Sequence, residues 1–541
     1  MSFTETPEGV ITAKKMDADN ARLALQLATR IPLMIRVSLS HLLSLSEESR
    51  YWDLRQALTI RVVRSILTPP QSELSSISKT QKMLSKEPGV KGRIWVATYS
   101  CPTDSESGNG IREVIAAAIQ GLRDSRDPVC PETVSPKDLP LPAETVEAEW
   151  TGYRAEAARD EKPPAGMLEK EKYDEMMKEV STRTTVLYFH GGAYWLMDPA
   201  THRPVVKKLA KLTQGRCYSV RYRLAPQHAF PAALMDGLVS YLGLLYPPEG
   251  AFHEPVRAED IVFAGDSAGG NLALSLLQLL LFVQRHNLSI FWHGQERTSI
   301  PLPAGVAVNS PWGDITHSSP SCETNARFDY LPALHNNHET DAARPPCAQW
   351  PANPPRRSLF VDDCYAAHPL VTLVLADSWA GAPPVYICTG WELLADEDKF
   401  LAAKMARDGV PVTFEEYEGM PHCFAMVFPK AAGARRCMVG WAGFIRKVTG
   451  TYHDPYEAPP LPGQEEQQQD DVRKVRKMET SFTMIKAKTL EDVDLGTDGV
   501  NPYTQEEIRE RIYTRVREAR EGRGPREEDG PAGEAVVVAK L

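Results

Sequence analysis

From residue 184 onward, short runs rich in β-branched and aromatic residues alternate with longer runs of helical periodicity. The short runs are 184–189, 216–221, 261–264, 304–309, 385–389 and 412–417. Helical stretches at 204–213, 232–245, 272–286 and 398–408 lie between several of them. A chain that repeats strand, helix, strand must cross over its own sheet, and such crossovers are right-handed and set successive strands parallel. The pattern predicts an α/β fold with a mostly parallel central sheet flanked by helices. With 541 residues, 42% of them hydrophobic, the chain can bury a core of that size.

The flanks follow other rules. Residues 1–20 read as a loose polar leader. Residues 21–90 read as an N-terminal helical cap region, helical to about residue 68 and broken at Pro69-Pro70. The regular domain is expected over 91–454, with further strands at 92–99 and 146–153. Its rhythm breaks at about 316–363, a stretch rich in Pro, Asn and Ser. This is expected to be an insertion above the strand ends that covers a substrate. Residues 455–541 are dense in mixed charge and read as a largely disordered tail with a transient helix near 505–520.

Several classes of function are excluded. A net charge of −10 does not suit nucleic-acid binding, which needs a basic surface. The 9 cysteines include no CxxC pair, which fits a reducing compartment and offers no zinc spacing. His335 and His338 have an H-x-x-H spacing in a segment without helical periodicity, so no metal is expected. The apolar run 272–283 is too short to span a bilayer and contains Ser275 and Gln278. The stretch 31–45 is apolar but carries Arg36 and His41. It suits either a membrane surface or a helix packed on the domain, and the packed helix is the expectation. The location expected is intracellular and cytoplasmic, with peripheral contact at endoplasmic reticulum or lipid droplets as the alternative.

The chemistry starts at Gly265-Asp266-Ser267-Ala268-Gly269-Gly270. It fits G-x-S-x-G, follows a strand-like run and opens a long apolar helix. That context makes Ser267 a nucleophile on a sharp turn at a helix N-terminus. Upstream, His190-Gly191-Gly192-Ala193 follows the run 184–189 and suits an oxyanion loop. Backbone N–H groups of Gly191, Gly192 and Ala268 would hold the oxyanion, with His190 bracing the loop. His422, just past the run 412–417, sits at a strand end where a base belongs. His317, His335, His338, His368 and His453 compete less well, because most lie in the insertion or the tail. Asp266 is expected to brace the loop. Tyr194, Trp195, Trp312 and Phe424 are weaker candidates for the substrate pocket, each equally suited to core.

These motifs, together with Tyr222-Arg223-Leu224-Ala225-Pro226, Ser310-Pro311-Trp312 and Gly419-Met420-Pro421-His422, resemble the hormone-sensitive-lipase family of α/β-hydrolases, in a layout similar to its fungal members. The resemblance covers about residues 184–445. It implies an α/β-hydrolase fold and serine-dependent hydrolysis of carboxylic esters, on small-molecule or lipid-like substrates and with no cofactor. The family's acid usually lies in Asp-Pro-Leu-x-Asp. Here Gly390-Trp391-Glu392-Leu393-Leu394-Ala395-Asp396 stands instead, and alignment on the leucine puts Glu392 at the acid position. Asp396 is the fallback acid. Two other readings stay open: an amidase, arylformamidase or deacetylase on the same triad, and a non-catalytic ligand-binding protein on a hydrolase fold.

Overall fold

The computed structural model describes residues 27–451 other than 70–73, 86, 128, 333–343 and 354, and residues 478–521 other than 498, 501 and 502. The expected leader, His335, His338 and His453 lie outside the described residues.

Among the described residues, three named α-helices come first: α1 (Ile31–Leu42), α2 (Leu54–Leu67) and α3 (Ile77–Leu84). There follow β1 (Trp95–Pro102), α4 (Ser105–Leu122), β2 (Thr145–Gly152), α5 (Glu169–Met177), β3 (Thr185–Phe189), α6 (Pro199–Thr213) and β4 (Arg216–Val220). Next are α7 (Ala232–Leu245), β5 (Ile261–Asp266), α8 (Ala268–Arg285), the hairpin β6 (Ile290–Trp292) and β7 (Gln295–Arg297), β8 (Gly305–Asn309) and the short α9 (Ser321–Thr324). The chain continues through β9 (Val385–Gly390), α10 (Ala395–Arg407), β10 (Val412–Tyr417), α11 (Phe424–Val427), α12 (Ala432–Val448), β11 (Ser481–Ile485), β12 (Asp492–Asp494) and α13 (Gln505–Arg520).

Among the described residues the main sheet has ten strands, in the order β1-β2-β4-β3-β5-β8-β9-β10-β11-β12. From β4 to β11 every neighbouring pair is parallel. Antiparallel pairings occur only toward the two edges, at β1–β2, β2–β4 and β11–β12. The predicted mostly parallel sheet is therefore observed. Both of its faces are covered. Alternate residues of β3 show this: Val186 and Tyr188 join the core under α6 and α12, while Leu187 and Phe189 join the core under α7 and α8. In α8 every residue from Ala268 to Val283 is buried, which accounts for its long apolar run.

Helix α6 starts five residues before the sequence suggests. Pro204 resembles a first-turn proline, but the start is set by Asp198, whose carboxylate accepts from the Thr201 N–H, with Pro199 in the first turn.

The expected disordered tail needs a larger correction. β11 extends the sheet beyond β10, burying Phe482 and Ile485, and α13 buries Ile508, Ile512 and Val516. A domain boundary at 454 therefore cuts through the sheet. Charge dense enough to suggest disorder conceals a three-residue apolar stripe at i, i+4 and i+8. The buried Arg509 on the same helix is neutralised by Asp124 and Asp377.

The N-terminal helices and the insertion meet over the carboxyl ends of the parallel strands. The Trp52 indole N–H donates to the Gly419 carbonyl and Arg64 donates to carbonyls of Ala326 and Asp329. The Gln81 amide donates to Trp195 and Ala225 carbonyls at 2.9 and 2.8 Å.

Candidate active site

Parallel pairing brings the residues that follow β3, β5, β8, β9 and β10 to one end of the sheet. The candidate residues follow those five strands: the His190 loop, Ser267, Trp312, Glu392 and His422. In an open α/β sheet, ligands bind at that end.

Ser267 joins β5 to α8 with φ 53° and ψ −121°, a conformation that non-glycine residues avoid. The fold holds it there from several directions. Its N–H donates to the Asn309 carbonyl, and its own carbonyl accepts from Trp312 and Asn271, each at 3.0 Å. The turn also requires close backbone approach. A Cβ on Gly269 would lie 2.0 Å from the Phe189 carbonyl oxygen, and one on Gly191 would lie 2.2 Å from the Asp266 carboxylate.

Asp266 braces this turn from below. Its carboxylate accepts from the Tyr188 hydroxyl at 2.6 Å and lies 3.3 Å from His202 Nε2. Burial raises the Asp266 pKa, but His202 and the Tyr188 hydroxyl outweigh it and hold the carboxyl below its ordinary value. Burial likewise opposes the charge on His202, and Asp266 overcomes it to raise the imidazole. His190 stays neutral: burial, then repulsion from His202, lower its pKa to about 3. Its Nδ1–H donates to the Gly191 carbonyl at 2.7 Å, its ring stacks on Tyr222, and the Tyr222 hydroxyl donates to the His190 carbonyl. His190 thereby props the loop whose Gly192 and Ala193 line a cavity together with Ser267.

His422 lines the same cavity. Its Nδ1 lies 3.1 Å from Glu392 Oε2, and both side chains are buried. The other carboxylate oxygen of Glu392 accepts from the Thr389 hydroxyl at 2.8 Å, which fixes its rotation. Burial lowers the His422 pKa, but the Glu392 charge, its hydrogen bond and the more distant Asp329 outweigh it. The imidazole stands above its ordinary 6.5.

Asp396 is engaged elsewhere. Its carboxylate accepts from the Ser321 N–H at 3.0 Å and the Tyr503 hydroxyl at 3.1 Å, while its own N–H donates to the Ser321 hydroxyl. It ties α10 to α9 and to the segment that leads into α13.

Of the four aromatic candidates, Trp195 and Trp312 line the cavity. The other two are corrected to core. Tyr194 is buried, its hydroxyl donates to Asn271 Oδ1 at 2.7 Å, and its ring stacks on Phe360. Phe424 is buried against Tyr417. Each finds its partners in the interior, which an isolated aromatic in a motif does not reveal.

Sequence reasoning missed Asp329. This buried residue of the insertion accepts from the Leu331 and Leu393 N–H groups at 3.1 and 3.0 Å and from the His422 N–H at 3.4 Å. It therefore joins the backbone after Glu392 to the backbone of His422. No periodicity or motif marks it. The cavity, about 1160 Å³, also draws its outer wall from outside the regular domain: Leu67 at the end of α2 and Pro69 beyond it, Tyr330 and Phe360 of the insertion, and Val516 and Ala519 of α13.

A family model described as an alpha/beta hydrolase fold matches residues 186–426. An acetyl-hydrolase of Streptomyces hygroscopicus is 30% identical over 267 residues, 49% of this chain and 76% of the relative. Esterase LipU of Mycobacterium tuberculosis is 30% identical over 270 residues, 50% of this chain and 80% of the relative. Among solved structures, an esterase from the bacterial hormone-sensitive lipase family aligns at 21% identity and a TM-score of 0.48, covering 74% of this chain and 99% of that one.

Proposed function

This chain belongs to the α/β-hydrolase family, and from that membership we propose that it hydrolyses carboxylic esters through an acyl-enzyme on Ser267. The observation that carries the reading is the buried Glu392–His422 pair, whose imidazole lines one cavity with a serine held at φ 53°.

His422 takes the Ser267 proton as the hydroxyl attacks the acyl carbonyl. Glu392 keeps Nδ1 of the imidazole protonated and stabilises the imidazolium that forms. Backbone N–H groups of Gly191, Gly192 and Ala268 receive the oxyanion, at a helix N-terminus whose dipole favours negative charge. His422 then hands its proton to the leaving alcohol. Water, deprotonated by the same imidazole, releases the acid and restores the serine. The cavity is large for a small acetate ester, and Trp195, Trp312, Phe360 and Leu67 give it apolar walls. These features support esters with a long or bulky apolar part.

A fluorophosphonate probe tests the nucleophile, with labelling expected in the native chain and absent in Ser267→Ala. Folded native chain that stays unlabelled would favour a ligand-binding protein. Turnover of 4-nitrophenyl esters of graded acyl length, set against N-formylkynurenine, tests the bond. Faster cleavage of the formamide would make the chain an amidase.

A further inference from the structure

Helix α1 contains no buried residue. Ile31, Ile35, Leu39 and Leu42 recur along one of its faces and are 52–70% exposed, and Leu43 and Leu45 beyond it are equally open. The packed helix expected for this stretch forms on one side only: Val37 packs against the core and the helix rests on α2, while this opposite face stays open. Monomeric proteins rarely leave a contiguous stripe of this kind in water, and such stripes mark interaction surfaces.

Its charge identifies the partner. The chain as a whole carries −10, yet residues 27–46 contain Arg30 and Arg36 and no Asp or Glu. An apolar helical face flanked by cations suits the boundary between anionic headgroups and acyl chains. No described helix is long and apolar enough to cross a membrane. A helix of 12 residues can lie in that boundary but cannot span it.

The stripe also has a position. Arg30 donates from Nε to the Ser65 hydroxyl at 2.8 Å and from Nη2 to the Ser65 carbonyl at 3.2 Å, which fastens the start of α1 to the end of α2. The two residues after Ser65, Ile66 and Leu67, are themselves exposed, and Leu67 lines the catalytic cavity. The exposed apolar surface therefore runs from α1 to the cavity wall.

We propose that α1 seats this protein on an anionic lipid surface with the cavity mouth facing the lipid, so that ester substrates pass from the layer to Ser267 without crossing bulk water. The proposal rests on the ester-hydrolase reading of the cavity and adds where its substrate comes from.

Co-sedimentation of the full chain with sucrose-loaded phosphatidylcholine vesicles, with and without about 30% phosphatidylserine, tests it. Binding is expected to the mixed vesicles and to weaken in high salt. The double substitution Ile35→Ser, Leu39→Ser should lower the partition coefficient about tenfold or more. Arg36→Glu should weaken binding to the anionic vesicles only. All variants should hydrolyse a water-soluble short-chain ester at the native rate, which separates loss of docking from loss of catalysis or fold. If the double variant misfolds, Arg36→Glu and the salt dependence decide. Native chain that ignores both kinds of vesicle overturns the proposal. So does equal binding by the native chain and a folded double variant. A dimer that forms through this stripe, detected by light scattering and lost in the double variant, assigns the face to a second copy instead.

Discussion

Glu392 is one methylene longer than an aspartate, and its surroundings accommodate the extra reach. The Thr389 hydroxyl holds one oxygen and His422 Nδ1 takes the other. Glu392→Gln keeps the shape and removes the charge that sets the imidazole tautomer. It should lower kcat by about 10³–10⁴ with little change in KM, the scale set by removing the equivalent charge in a serine protease. Asp396→Asn should leave kcat near native, because Asp396 bonds Ser321 and Tyr503. In the proposed mechanism His422 acts as neutral imidazole, so kcat/KM should climb with pH and reach half its plateau above 6.5. In Glu392→Gln the cause of the upward shift is gone, and the half-point should fall. Asp329→Ala would strand two buried N–H groups, of Leu393 and His422, and the half-buried one of Leu331. It should cost about 1–3 kcal/mol in denaturant titration and slow turnover about ten- to a hundredfold by loosening the base. At this scale legibility followed locality. Ser267, Gly192 and His422 could be read because a turn and its motif lie within a few residues of each other. Asp329 could not, since only the fold brings it beside Leu393 and His422.

At the scale of elements, the strands and helices between β3 and α12 were largely readable, because a buried parallel strand and an apolar helix each impose a period on their residues. The elements outside that span were harder to read, and they supply the outer wall of the cavity. Helix α13 looks hydrophilic along its length, and only Ile508, Ile512 and Val516 commit it to the core. Its Ala519 faces the cavity and is only half-buried, so a larger side chain there should disturb the cavity more than the fold. Ala519→Trp should cut kcat/KM for a dodecanoyl ester about tenfold and change an acetyl ester by less than about twofold. A side-by-side series of acyl lengths would measure this. Equal losses on both esters would remove α13 from substrate selection.

On the scale of the whole molecule, the sheet is closed at one end by strands that composition assigned to a tail. Stopping the chain after Thr451 would remove β11, β12 and α13. It would leave β10 as an unpaired edge and uncover the apolar groups that β11 and α13 now shield. Long open edges recruit other chains. The truncated protein should therefore be recovered mainly in the insoluble fraction, whereas a dispensable tail would leave its yield and melting temperature unchanged. The same pairing has a consequence in time. β11 lies about sixty residues beyond its partner β10. At ribosomal rates of about 5–20 residues per second, β10 waits about 3–13 seconds for its neighbour to be made. During that interval Ser267, Glu392 and His422 have all been synthesised, but the cavity wall supplied by α13 has not. The nascent chain thus passes those seconds with β5 and Ser267 already made and the sheet's outer edge still bare.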